Sequence, residues 1–426
     1  MMLSKKLRVV NPEEAVMSIQ SGDRVVIPLG CGEPHVILEA MVQQSDRLKG
    51  VEIVSGLLKN YIFLEQGLED SFRFRTWHCS SSIAHLIGKT VHYMPIRQGD
   101  VSRLFGPDGV YPVDVAVVHV SPPDHHGFCS LGVSIGHALP AALGAKTVIA
   151  LVNEQMPRVL GKSFMHVSQI DYIVNCSRSL VEFPTGTEKT GDAEIAIANY
   201  VADLIPDGAI LQLGLGSIPT LITQRLAGKR EIKIFGMGID NIVDLVENGV
   251  IQPNKTTSEM SPVVACEFLG TQKLFNFIDN NPLIEGRALP DTINALITAN
   301  LSKFISVQSA IEVDIYGQIN VESIDKRIIS GLGGSHDFLQ GAYHAPEGKS
   351  IIAMTSTTAK GKKSRIVAEF SAGTAVAHPR HSVDYIVTEY GVARLRGKTL
   401  EERAEALINI THPDFREDLK LHIKNK

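Results

Sequence analysis

Short apolar, β-branched runs alternate with stretches of helical spacing along nearly the whole chain. Strands are expected at Arg24–Leu29, Val51–Val54, Val113–His119, Thr147–Leu151 and Tyr172–Val174. A second series follows at Ala209–Leu213, Lys233–Phe235, Val263–Leu269, Phe304–Ala310, Ser350–Met354 and Tyr385–Val387. Runs that are apolar on both faces and separated by helices indicate a largely parallel sheet covered on both sides. The pattern predicts an α/β protein built on open, mostly parallel sheets.

The polar stretch from Cys176 to Gly191 interrupts this alternation and reads as a boundary between domains at 1–185 and 186–426. After it, Asp192–Ile205 has apolar positions at helical spacing and an acidic start, and Pro206-Asp-Gly208 stops it. The two halves rhyme. Ser21-Gly-Asp-Arg-Val-Val-Ile-Pro-Leu-Gly-Cys-Gly32 and Pro206-Asp-Gly-Ala-Ile-Leu-Gln-Leu-Gly-Leu-Gly216 are each a Gly/Asp turn, a strand and a Gly-x-Gly. A duplicated α/β domain explains the match; shared turn chemistry is the alternative.

Composition narrows the class. At 426 residues the chain needs at least two cores. A net charge of −5 gives no general pull toward nucleic acid, and the one dense basic run is Ala359–Arg365. No apolar run reaches membrane-spanning length, and the N-terminus lacks a signal-peptide core. The five cysteines (Cys31, Cys79, Cys129, Cys176 and Cys266) are widely spaced without a Cys-x-x-Cys, which suits a reducing cytoplasm and argues against a metal site.

The chemistry concentrates in Ala209–Val243. An apolar run that ends in Gly214-Leu-Gly216 and opens a helix presents backbone N–H groups to an anion. The string Gly214-Leu-Gly-Ser-Ile-Pro219 resembles the Gly-Ile-Gly-x-Ile-Pro loop of the acetyl-CoA hydrolase/transferase family, in particular its 4-hydroxybutyrate and butyryl CoA-transferases. Further stretches resemble the same family in the same order. They are Ser121–Ser134, Val152–Arg158, Ser163–Ser168, Gly270–Pro282, Gly317–Ser323, Ser330–Phe338, Thr357–Gly361 and Thr388–Gly397. The resemblance implies two similar CoA-transferase-like domains (the NagB/RpiA type) in tandem, the second carrying the CoA-binding loops. It implies a cytoplasmic homo-oligomer that takes acyl-CoA as a substrate, passes it to a carboxylic acid or other acyl acceptor, and holds no tight cofactor or metal.

The resemblance also assigns residues. Gly214, Leu215, Gly216, Ser217 and Ile218 match the CoA-contacting loop, and Gly331, Leu332, Gly333 and Gly334 match a glycine loop that closes over the thioester. Lys360 matches a contact to a CoA phosphate. The family nucleophile is the Glu of a His-Ser-Glu-Met segment, and this chain has Gly236 or Met237 in its place. Glu267, an isolated acid in the apolar run Val263–Gly270, is the replacement expected to lie near Gly236. A structural Glu paired with an Arg is the competing reading. Glu259, in Ser258-Glu-Met260, echoes the lost motif, and Asp240 matches a different Asp of it.

Other tempting groups read as structural. His125 and His126 stabilise a turn, His166 and Ser168 lack a third catalytic member, and Glu389 braces a wall. Three functions stay open: CoA transfer through another acid, direct acyl transfer or hydrolysis without a glutamyl-CoA intermediate, and a catalytically silent CoA-binding partner.

Overall fold

Each apolar run expected to be a strand is one, with ends shifted by a few residues. The structure is a computed structural model that describes residues 7–184, 190–254, 260–358 and 361–424. The chain divides into two compact units. The first comprises Met1–Pro184, Gly236–Asp240 and Asn254–Thr292; the second comprises Thr185–Phe235, Asn241–Pro253 and Ile293–Lys426.

The first unit holds an eight-stranded sheet. Its strands are β1 (Arg8–Val9), β2 (Arg24–Val26), β3 (Val51–Ser55), β4 (Phe72–Thr76), β5 (Val91–Tyr93), β6 (Val115–Val120), β8 (Thr147–Asn153) and β10 (Tyr172–Cys176). Their order is β1-β10-β8-β6-β2-β3-β4-β5, and every pairing is parallel. The hairpin of β7 (Phe128–Ser130) and β9 (Phe164–His166) lies apart from it. Parallel strands β13 (Val263–Leu269) and β14 (Ile284–Gly286) also belong to this unit.

β4 escaped the apolar-run reading because it alternates. Phe72, Phe74 and Thr76 are buried while Arg73 is exposed, so this strand, next to the edge strand β5, carries charge on one face. β2 lies between β3, the next strand in the chain, and β6, a later one. Strand order reverses there, and the carboxyl ends of β2 and β6 open a crevice suited to ligands.

The second unit repeats this plan. β11 (Ile210–Leu213) lies between the first residues of β12 (Lys233–Ile239) and β15 (Phe304–Gln308), all parallel. β20 (Lys349–Ala353) and β22 (Tyr385–Thr388) extend the parallel run, and β23 (Gly391–Arg394) closes it antiparallel. Small strands pair outside it: β16 (Glu312–Asp314) with β17 (Ile319–Asn320) and β21 (Ile366–Val367), and β18 (Ser323–Ile324) with β19 (Arg327–Ile328). Val313, Ile315, Leu339, Ile352, Ile386 and Leu407 form one of its apolar cores.

The expected helix after the boundary spans Asp192–Asp203, and the Glu194 carboxylate accepts the Gly191 N–H at 2.9 Å to start it. The rhyme between the halves is also geometric. Gly22 and Gly208 both turn the chain at positive φ (83° and 74°) before β2 and β11.

Phe74 anchors the β4 side of the first unit, with ring centroids 5.5 Å from Phe63 and 5.7 Å from Tyr61. Phe74→Ala is expected to lower unfolding free energy by about 3–5 kcal/mol, read from urea denaturation.

Candidate active site

In the second unit the Gly214 turn rests on a polar shelf. Gln212 Oε1 accepts the Ser306 hydroxyl at 2.8 Å and the Gln308 side-chain amide, at the ends of β11 and β15. The Gly214 N–H reaches the Val307 carbonyl at 3.3 Å. Gly216 has φ +118°, a backbone that side chains rarely adopt, and nothing lies within 4 Å of where its Cβ would be. The helix Ser217–Gln224 starts directly after it, and Leu215 is exposed at the tip. The arrangement suits backbone recognition of an anion or a developing oxyanion.

The Gly331–Gly334 segment precedes the helix Ser335–His344. Ser335 Oγ donates to the Leu332 carbonyl at 2.6 Å and lies 3.2 Å from His378 Nε2. Burial lowers the His378 pKa to about 3, so its imidazole is neutral. With the serine proton committed to Leu332, Nε2–H donates to Ser335. One end of the glycine segment is thereby pinned.

At the ends of β20 and β22, the Glu389 carboxylate accepts the Ser356 N–H at 2.8 Å and the Ser356 hydroxyl at 2.6 Å. Arg365 is held beside them by the Ile311 carbonyl and the Thr355 hydroxyl. Glu389 is thus satisfied, as a bracing residue should be. Gln308, Ser306, Ser356 and Arg365 were missed in the sequence; the available signal was a polar residue within or flanking an apolar strand. Lys360 and Glu259 lie outside the described residues.

The first unit contains Gly236 and Met237, the two positions that the resemblance sets against the family nucleophile. Gly236 lies within β12 at φ +103°, and its carbonyl accepts the Cys266 thiol at 3.1 Å. Met237 beside it is half-buried. Glu267 follows Cys266 on β13, so its side chain leaves from the opposite face of the strand. Gly136 covers that face so closely that a Cβ there would run into the Glu267 carboxyl.

The segment Val133–Gly136 is strapped to β13. Phe268 N–H reaches the Val133 carbonyl at 2.8 Å, and the Ile135 and Gly136 N–H groups share the Cys266 carbonyl at 3.0 Å. Glu267 is 4% exposed, and neither carboxyl oxygen makes a hydrogen bond. Burial raises its pKa well above the usual value. The nearby Ser134 hydroxyl offsets part of the rise, yet it also lacks a bond of proper geometry. Burial therefore favours the protonated form of Glu267, and among the described residues no Arg pairs with it.

Asp240 has a different task. Its Oδ1 accepts the Thr271 N–H at 2.9 Å and the Thr271 hydroxyl at 3.0 Å, fixing the start of the helix Gln272–Ile278. His126 lies on a turn whose Asp124 accepts the His126 and Phe128 N–H groups and pairs with Arg158 at 2.6 Å. His166 Nδ1 meets Ser168 at 2.7 Å, but its Nε2 faces a backbone carbonyl rather than an acid. Among the described residues no group of three His, Cys, Asp or Glu is placed to hold a metal ion. No helix among them is long and apolar enough to cross a membrane.

Residues 4–183 match the acetyl-CoA hydrolase/transferase N-terminal domain and residues 270–423 the C-terminal domain. The chain belongs to the acetyl-CoA hydrolase/transferase family. It is 42% identical to a 4-hydroxybutyrate coenzyme A transferase of Clostridium kluyveri, over 99% of this chain and 98% of the relative. It is 33% identical to a butyryl-CoA:acetate CoA-transferase of Anaerostipes caccae, over 97% and 95%. The solved structure of RipA from Yersinia pestis superposes with a TM-score of 0.91 at 30% identity, covering 98% of this chain and 97% of that one. A 4-hydroxybutyrate CoA-transferase from Porphyromonas gingivalis gives 0.80 at 34% identity, with the same coverage. Family members share the α/β architecture expected from the strand pattern.

Two expectations follow. Gly236→Glu would place a side chain on a backbone at φ +103° and is expected to cost about 1–3 kcal/mol, seen as earlier thermal unfolding. Glu267 keeps its proton in the folded state at pH values where the unfolded carboxyl has lost it. Stability therefore falls as pH rises above about 4.3, the ordinary Glu value. Glu267→Gln removes that titration. In urea denaturation between about pH 5 and 7, wild-type stability relative to the variant should decline by up to ~1.4 kcal/mol per pH unit. A difference constant with pH would show Glu267 to be ionised.

Proposed function

We propose that this chain transfers CoA from a short-chain acyl-CoA to a carboxylic acid. The observation that carries the reading is the Gly214–Ile218 turn at the carboxyl end of β11, where strand order reverses. Support comes from full-length relatives named as CoA-transferases. In this proposal the turn's amides receive the thioester and CoA, Gly331–Gly334 closes over them, and Lys360 takes a CoA phosphate. CoA is a substrate here, with no tightly bound cofactor. A cytoplasmic location and a homo-oligomer belong to the same proposal, the latter checked by light scattering.

Two routes give the same products. In the first, the Glu267 carboxylate attacks the acyl carbonyl and expels CoA thiolate. The thiolate then attacks the glutamyl carbonyl of the mixed anhydride, releasing the acyl group as a free acid and leaving a Glu267–CoA thioester. The incoming acid reverses these steps. Glu267 must lose its proton first. In the second, the incoming carboxylate attacks the acyl-CoA carbonyl directly. The expelled thiolate then attacks that acid's carbonyl in the anhydride, forming the new thioester and freeing the original acid. The position of Glu267 on β13, beside β12, favours the first route. Its neutral, covered carboxyl favours the second, and water in place of the acid makes that route a hydrolysis.

The test is to incubate the chain with butyryl-CoA or 4-hydroxybutyryl-CoA and acetate, follow acetyl-CoA by chromatography, and trap with hydroxylamine or borohydride for intact-mass analysis. Acetyl-CoA formation is expected. An adduct that vanishes in Glu267→Gln assigns the covalent route, and turnover without an adduct assigns direct attack. CoA binding with no turnover on any acyl-CoA and acid tried would sink the proposal and leave a silent CoA-binding protein.

A further inference from the structure

We infer that a recess at the amino ends of β20 and β22, where Lys349, Tyr385 and Arg394 come together, binds a phosphate group. The recess has a volume of about 270 Å³. A water in the liquid takes about 30 Å³, so a tetrahedral oxyanion of five heavy atoms fits. β20 and β22 run parallel to β11 through β15. The recess therefore lies at the opposite end of the sheet from the Gly214 turn, and the inference does not rest on CoA transfer.

Strand register puts the three donors on one face. Tyr385 lies opposite Arg394 across the antiparallel pair and beside Ile351 across the parallel one. Lys349 precedes Ile351 by two residues, so all three side chains leave the same side of the sheet. On that side Lys349 Nζ donates to the Leu204 carbonyl at 2.5 Å, just past the helix Asp192–Asp203. An ammonium has three donors, so two remain. The Arg394 guanidinium and the Tyr385 hydroxyl make no hydrogen bond with the described residues. The groups a ligand must reach are open: Arg394 is exposed, and Lys349 and Tyr385 are half-buried.

The charges do not cancel. Asp384 also borders the recess, but it stands one residue before Tyr385 and leaves from the opposite face. There its Oδ2 accepts the Ser350 N–H at 3.2 Å and pairs with Arg396 Nη2 at 3.1 Å. With that pair set aside, Lys349 and Arg394 meet one lining acid, the exposed Glu347. The helix end adds about half a negative charge, and Lys229 adds a positive one. Burial and Lys229 push the Lys349 pKa below the usual lysine value, and Glu347 only partly opposes them. Among the described residues no acid pairs with Lys349 or Arg394. Phosphate suits these donors better than a carboxylate, because its oxygens engage the arginine fork and the ammonium together.

The probe is sodium phosphate, titrated calorimetrically into the full chain near neutral pH. Sodium chloride and sodium acetate at matched ionic strength, and AMP as a phosphate monoester, are parallel titrants. Saturable phosphate binding in the millimolar range is expected, with none for chloride or acetate. Arg394→Gln, at an exposed position, should weaken it at least tenfold. Lys349→Gln should act in the same direction with Arg394 intact, which covers the case of a poorly folded Arg394 variant. Lys420→Gln removes an exposed cation elsewhere and should leave binding unaltered. AMP binding that is lost in Arg394→Gln would show the group arriving as a monoester, and phosphate binding without AMP binding would mark the free anion; both support the site. Equal binding of acetate, phosphate binding that survives Arg394→Gln, or no saturable heat in the wild type would each overturn the inference.

Discussion

Parallel pairing forbids tight turns between successive strands, so each strand must be followed by a crossover that returns the chain. In both sheets two crossover series leave one strand in opposite directions. β2 has β3 on one side and β6 on the other; β11 has β12 and β15. That reversal holds the chain open at the carboxyl end of a single strand, and the main functional features follow from it. Gly30–Glu33 stands after β2 and Gly214–Ile218 after β11. The polar shelf of Gln212, Ser306 and Gln308 exists because β11 and β15 end side by side.

Two buried acids in the first unit show how differently the same side chain can be tolerated. Glu33 has two backbone N–H donors on one oxygen, so its burial is partly compensated. Glu267 has no hydrogen bond on either oxygen, and burial pushes it toward its neutral form. A neutral carboxyl packs against Gly136 at a fraction of the cost of a buried charge. That packing needs a glycine: any side chain at 136 would collide with the acid. On the other face of β13 the Gly236 carbonyl is engaged by Cys266.

Much of the fold was legible along the chain. Continuous apolar runs such as Val115–Val120 and Val263–Leu269 can only be strands buried on both faces, and both are. The Gly/Asp turns and Gly-x-Gly motifs marked the two central strands, because a positive φ and a close helix start both select glycine. Less visible were β4, which alternates buried residues with arginine, and the edge strand β5, only three residues long. The competing reading of Glu267 as an ion-paired acid finds no partner, since among the described residues no guanidinium reaches it.

The order of residues by itself determined the α/β class, the two central Gly-x-Gly turns, and the absence of a carboxylate at Gly236. These are properties of local pattern and residue identity. Only the tertiary structure decided that Glu267 lies under Gly136, that Glu389 is satisfied by Ser356, and that the Lys59 and Asn60 N–H groups hold Glu33. The state of a buried acid is set by the donors and dielectric around it. Those neighbours come from segments as distant in sequence as Ser134 and Glu267, which only the packed chain brings together.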